Sequence, residues 1–189
     1  MAAPRVGILA LQGDFEAHAK LLRSLGAEPF EVRLPEQLEE LDALVIPGGE
    51  STVMMLGIAR EGLAEPLRQL VRRGTPVLGT CAGMIMLDRD HLGLLDVEAR
   101  RNAFGRQLRS FEADVELAGI EGGAVHAVFI RAPWIQARGE DVEVLGEIDG
   151  HPIAVRQDNV IAVAFHPELS GETRLHELLL RVDGRGEPR

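Results

Sequence analysis

The chain opens on a continuous apolar run, Val6-Gly7-Ile8-Leu9-Ala10-Leu11, the pattern of a strand buried on both faces. Asp14 stands at an N-cap position, and Phe15, Ala19, Leu22 and Leu25 recur at helical spacing until Gly26 ends the helix. A short strand follows around Pro29 to Val32. A third, Ala43-Leu44-Val45-Ile46, runs into Pro47-Gly48-Gly49. Ser51 is placed to cap the next helix, which Gly62 interrupts, and Leu63, Leu67, Leu70 and Val71 carry a further helix to Gly74. Pro76-Val77-Leu78-Gly79 reads as strand four, with a helix starting near Ala82. This alternation of strand and helix calls for parallel strands joined by helical crossovers.

The second half has a different rhythm. Phe111, Ala113, Val115 and Leu117 alternate with polar or small residues, as in a half-exposed strand. Ala127 to Ile130, Val142 to Ile148, Ile153 to Val155 and Val160 to Phe165 are further strand candidates, with turns at Asp149-Gly150 and Gln157-Asp158-Asn159. Leu175, Leu178, Leu179 and Val182 make a last amphipathic helix, and the tail beyond it reads as frayed. The expectation is an α/β fold, mostly parallel, with antiparallel additions in the C-terminal half.

Composition narrows the function. The 189 residues are 46% hydrophobic and 26% charged, as in globular proteins, and the formal net charge of −10 argues against a nucleic-acid partner. No apolar run approaches the roughly 18 residues of a membrane span, and the first residues do not form a signal peptide. The single cysteine implies no oxidising compartment, so a cytoplasmic location is expected.

Ligands of parallel sheets sit beyond the carboxyl ends of the strands. Gln12-Gly13, Gly48-Gly49-Glu50-Ser51 and Thr80-Cys81-Ala82-Gly83 occupy such positions. Gly79-Thr80-Cys81-Ala82-Gly83 has the form G-x-C-x-G between a strand and a helix, the setting of a nucleophile elbow. A helix N-terminus favours the thiolate, the attacking form. The alternative is a small buried hydrophobe, the usual fate of a free cysteine. Among six histidines, His166 ends an apolar strand and precedes Pro167-Glu168. Extended backbone would put His166 and Glu168 on one side, base and orienter for the thiol, with a strand-end histidine beside a solvated glutamate as the alternative. His18 and His176 fall in helices and His126 and His151 among alternating or turn residues; these read as surface or satisfied core positions, and His91 stays open. The double glycine supplies a backbone N–H for an oxyanion, Gly49 with Ala82 as second donor, against the rival reading of a phosphate cradle. No metal-ligand spacing is present.

These residues resemble the class I glutamine amidotransferases, whose triad is Cys-His-Glu, and among them the glutaminase subunits of pyridoxal 5′-phosphate synthases. Leu9-Ala10-Leu11-Gln12-Gly13, Pro47-Gly48-Gly49-Glu50-Ser51-Thr52, Arg101-Asn102-Ala103-Phe104-Gly105-Arg106-Gln107, Ser110-Phe111-Glu112-Ala113 and Phe129-Ile130-Arg131-Ala132-Pro133 are similar to their motifs. The resemblance runs from about Val6 to Leu180 and implies one domain over 1–189 with a flavodoxin-like three-layer α/β/α fold. It implies catalysis by Cys81, His166 and Glu168, hydrolysis of L-glutamine to glutamate and ammonia, and no cofactor. It also implies a (β/α)8-barrel synthase partner that uses the ammonia, with ribose 5-phosphate and glyceraldehyde 3-phosphate, to make pyridoxal 5′-phosphate. By position, Gly49, Glu50, Ser51, Arg101, Ile130 and Arg131 should contact glutamine, although the two arginines read equally as surface charges. The Gln12-Gly13 loop and first helix are the expected docking surface. Between Leu87 and His91 the chain is several residues shorter than the family pattern. A peptidase or deglycase on the same fold, and a binding module with an inert Cys81, remain as rivals.

Overall fold

A computed structural model describes residues 2–101, 103–104 and 110–181. The tail from Val182 onward, and positions 102 and 105–107 of the Arg101–Gln107 motif, lie outside them. The four short apolar runs of the N-terminal half become strands β1 (Arg5–Leu9), β2 (Glu28–Val32), β3 (Ala43–Ile46) and β4 (Val77–Thr80). All four residues of β3 and of β4 are buried, as strands covered on both faces must be. Helices α1 (Phe15–Ser24), α2 (Ser51–Arg60), α3 (Ala64–Arg72) and α4 (Ala82–Leu87) alternate with them, and a short 3-10 turn spans Pro35–Leu38.

Two helix starts differ from expectation. Asp14 sits at the N-cap of α1 but makes no capping hydrogen bond. Helix α2 is capped by Glu50, not Ser51: the Glu50 carboxylate accepts the N–H groups of Thr52 and Val53 at 3.1 and 2.9 Å. A longer acceptor one residue earlier reaches the same orphan donors.

The C-terminal half supplies β5 (Val97–Arg100), β6 (Ser110–Val115), β7 (Val125–Ile130), β8 (Trp134–Arg138), β9 (Glu143–Ile148), β10 (His151–Gln157) and β11 (Val160–Val163), then α5 (Pro167–Ser170) and α6 (Arg174–Arg181). The main sheet has the order β2-β1-β3-β4-β11-β10-β9, parallel from β2 to β11, with β10 and β9 paired antiparallel. The fold is a flavodoxin-like three-layer α/β/α. Because the strand order reverses at β1, right-handed crossovers send α1 and the β3–β4 helices to opposite faces. Strands β5 and β8, unexpected from their polar sequences, pair only with each other, and β6 with β7 forms a separate ribbon.

Strand β11 leaves the antiparallel part and inserts beside β4, Val163 opposite Thr80. That pairing brings residue 166 next to residue 81. The β6–β7 ribbon is held on this junction by aromatic rings: Phe111 stacks on Phe129 at 4.5 Å, and Phe129 meets Phe165 edge-on at 5.6 Å. Among the described residues no helix is long and apolar enough to cross a membrane.

Candidate active site

Cys81 lies between β4 and α4 with φ 49° and ψ −108°, a conformation costly for a residue with a side chain. The neighbouring glycines are what the turn requires. A Cβ on Gly83 would sit 2.1 Å from the Ile46 carbonyl oxygen, and one on Gly79 would meet Leu87 at 2.5 Å. The Cys81 N–H donates to the Val163 carbonyl at 2.8 Å, so β11 holds the elbow directly. Its Sγ lies 3.8 Å from the Ile130 carbonyl, and Arg131 beyond it has φ 45°.

His166 follows β11, and its N–H donates to the Val128 carbonyl of β7 at 2.8 Å. Its Nδ1 is 2.6 Å from Glu168 Oε1. The route to this pair differs from the extended segment expected from sequence. Strand β11 ends at Val163, Pro167 is the first residue of α5, and Glu168 lies in its first turn. The proline favours this geometry by its fixed φ at a helix start. Burial lowers the affinity of His166 for a proton, but hydrogen bonds and charge from Cys81 and Glu168 outweigh it and raise the pKa from 6.5 to about 10. The imidazole is therefore cationic at neutral pH, with Glu168 on one side and Cys81 on the other.

Gly48 and Gly49 pass close over this pair. A Cβ on Gly48 would fall 2.5 Å from His166 Cε1 and 3.2 Å from Cys81 Cβ. The Gly48 N–H donates to Thr80 Oγ1 at 3.1 Å, and that of Glu50 to Gln12 Oε1 at 2.5 Å. Between them, the Gly49 N–H has no hydrogen bond among the described residues. Ala82, first residue of α4, also offers an N–H with no partner inside its helix. Gln12, assigned from sequence to docking, is thus turned inward to brace this loop, and Gly13 packs on the Gly48 carbonyl.

A cleft of about 310 Å³ opens over Cys81 and His166. Its lining brings together Gly49, Glu50, Ser51, Ala82, Arg101, Ile130 and Arg131, every remaining site residue picked from sequence except Glu168, which is buried behind His166. Glu50 meets the cleft while its carboxylate caps α2; the N–H groups of Val53 and Thr52 lower its pKa. Arg101 Nη1 donates to Thr52 Oγ1 at 3.1 Å. His91 pairs with Asp88 at 2.6 Å in the shortened segment, His126 sits between Glu112 and Asp114 on the surface, and His151 stacks on Trp134. Among the described residues no cluster of three or more His, Cys, Asp or Glu could hold a metal ion.

A profile of the SNO glutamine amidotransferase family matches residues 8–183. The chain belongs to that family. It is 52% identical to pyridoxal 5′-phosphate synthase subunit PdxT of Frankia alni over 98% of this chain and 100% of the relative. With the same subunit of Mycobacteroides abscessus it shares 51% identity over 94% and 96%. A crystal structure of a glutamine amidotransferase superposes with a TM-score of 0.88 at 46% identity, covering 93% of this chain and 96% of the other. PurLQS from Thermotoga maritima, 20% identical, shares the fold with a TM-score of 0.68 over 92% and 94%.

Proposed function

We propose that the chain is the glutaminase subunit of a pyridoxal 5′-phosphate synthase, a single-domain cytoplasmic enzyme that hydrolyses L-glutamine to L-glutamate and ammonia. The observation that carries this reading is a buried Cys81–His166–Glu168 line at the floor of a cleft rimmed by Gly49, Ser51, Arg101 and Arg131.

The Cys81 thiolate attacks the side-chain carboxamide carbon of glutamine, and the N–H groups of Gly49 and Ala82 receive the oxyanion. The tetrahedral adduct collapses as His166 gives its proton to the departing nitrogen, releasing ammonia and leaving a γ-glutamyl thioester on Cys81. The thioester has no negative sulfur, so two of the influences that raise the His166 pKa vanish. Neutral His166 then serves as base for the water that hydrolyses the thioester, with Glu168 holding its Nδ1–H throughout. Arg101 and Arg131 offer positive charge to the substrate α-carboxylate. The ammonia passes to a (β/α)8-barrel synthase subunit, where pyridoxal 5′-phosphate is assembled from ribose 5-phosphate and glyceraldehyde 3-phosphate.

The test is glutamate release from L-glutamine by the purified chain, alone and with the synthase subunit. Release that rises on mixing, and that Cys81→Ala abolishes without loss of fold, is expected. Turnover that survives Cys81→Ala would overturn the mechanism, and no release from either sample would overturn the function.

A further inference from the structure

Glu168 presents one oxygen to His166; its other oxygen points away from the cleft into the protein. There it meets the first of two contacting histidines that the chemistry above does not use. His18 of α1 and His176 of α6 are both 0% exposed, although they are 158 residues apart. His18 Nε2 lies 3.3 Å from Glu168 Oε2 and 3.3 Å from Thr80 Oγ1, and His18 Nδ1 lies 2.8 Å from His176 Nε2. Thr80 in turn accepts the Gly48 N–H, so the same ring touches the supports of both the base and the glycine loop.

The protons in this group follow from what each atom needs. A buried carboxylate oxygen without a donor costs far more than a neutral acceptor without one. Glu168 Oε2 has no hydrogen-bond partner among the described residues, and His18 Nε2 approaches it at 3.3 Å without the alignment of a hydrogen bond. His18 must therefore carry its proton on Nε2, facing Oε2, and His18 Nδ1 must accept from His176 Nε2–H. This leaves His176 Nδ1 without a proton; that atom has no hydrogen-bond partner among the described residues. The opposite arrangement, with protons on both Nδ1 atoms, would turn a lone pair of His18 on the carboxylate. Burial first, with the positive charge of His166 added, holds the His18 pKa well below 6.5, and burial lowers that of His176 to about 4 against the opposing pull of the Glu172 backbone carbonyl and carboxylate. Both rings are neutral at pH 7.

Resting on the glutaminase reading above, we propose that His18 is a positioning residue of the reaction: its neutral Nε2–H holds the second oxygen of Glu168, and His176 locks the tautomer that makes this possible. A neutral donor suits the position. An arginine or lysine there would compete with His166 for the carboxylate charge, whereas an uncharged N–H fixes the rotamer and leaves that charge on the catalytic imidazole. The 3.3 Å separation is long, as such contacts often are before substrate binds.

The tautomer is read directly from ring ¹⁵N shifts of the full chain labelled at histidine, with no need for activity. His18 protonated on Nε2 and bare on Nδ1 between pH 6 and 8 is the expected result. A proton on Nδ1, or a charged ring, overturns the proposal whatever the enzyme does with glutamine. With the synthase subunit present, His18→Leu should lower kcat for glutamate release by about ten-fold or more with little change in KM, the loss of one hydrogen bond to a charged group. His18→Gln, which keeps an N–H near the Nε2 position, should recover most of that loss. Equal kcat in wild type and a folded His18→Leu, or failure of a folded His18→Gln to do better than His18→Leu, would overturn the role. An inactive wild type would count against the glutaminase reading instead. If His18→Leu does not fold, the tautomer of the native ring decides.

Discussion

The meeting of Cys81, His166 and Glu168 was legible because each stands in a short motif whose geometry is local: glycines on either side of the thiol, a proline between imidazole and carboxylate. Residues defined by distant partners were not. His18 and His176 look like ordinary helix positions in sequence, and only the packing of α1 and α6 on β4 and α5 makes them a buried pair. Glu50 was read as a substrate contact, and the helix-capping role of its carboxylate was missed because Ser51 is the more familiar cap. The raised His166 pKa, read with the proposed mechanism, sets an expectation for pH. His166 keeps its proton until about pH 10, so kcat/KM for glutamine should hold from neutrality and fall above that value. A pH–rate profile whose alkaline limb lay near 7 would show that Cys81 and Glu168 do not act on the imidazole as their geometry implies.

Elements with strong apolar periodicity were readable to within a residue or two, including the break between α2 and α3 at Gly62. Strands β5 and β8 were not, because Val97–Arg100 and Trp134–Arg138 carry few apolar residues and pair with each other outside the main sheet. The β6–β7 ribbon matters more to the site than its edge position suggests. Its Val128 carbonyl holds the His166 N–H, and Phe129, fully buried, bridges Phe111 and Phe165 beneath it. Phe129→Ala should therefore cost about 3–5 kcal/mol in urea unfolding. It should also lower glutaminase activity at temperatures where the chain remains folded. A stability loss with undiminished kcat would mean that the ribbon packs on the site without steadying it.

For the whole molecule, alternating strand and helix specified the parallel half, but strand order is not a local property. Nothing in Val160–Val163 announces that it inserts between β4 and β10. Global stability carries the mark of the histidines enclosed between the layers. Both bind protons less readily folded than unfolded, so their contribution is complete above about pH 6.5 and shrinks as the pH falls toward the folded value, about 4 for His176. For His176, unfolding free energy should drop by about 1 kcal/mol per pH unit over that window. His176→Leu should flatten the slope in urea titrations at pH 7, 6 and 5; an unchanged slope would place the acid sensitivity elsewhere. The insertion of β11 has a consequence for how the molecule comes into being. On a growing chain the thiol emerges 85 residues before its base, on a strand that is still the open edge of a half-built sheet. Until that edge is closed there is no carbonyl from Val163 to receive the elbow N–H and no imidazole beside the sulfur. The last strand laid into the sheet is thus also the one that completes the site, and a chain cut short before it holds Cys81 without His166.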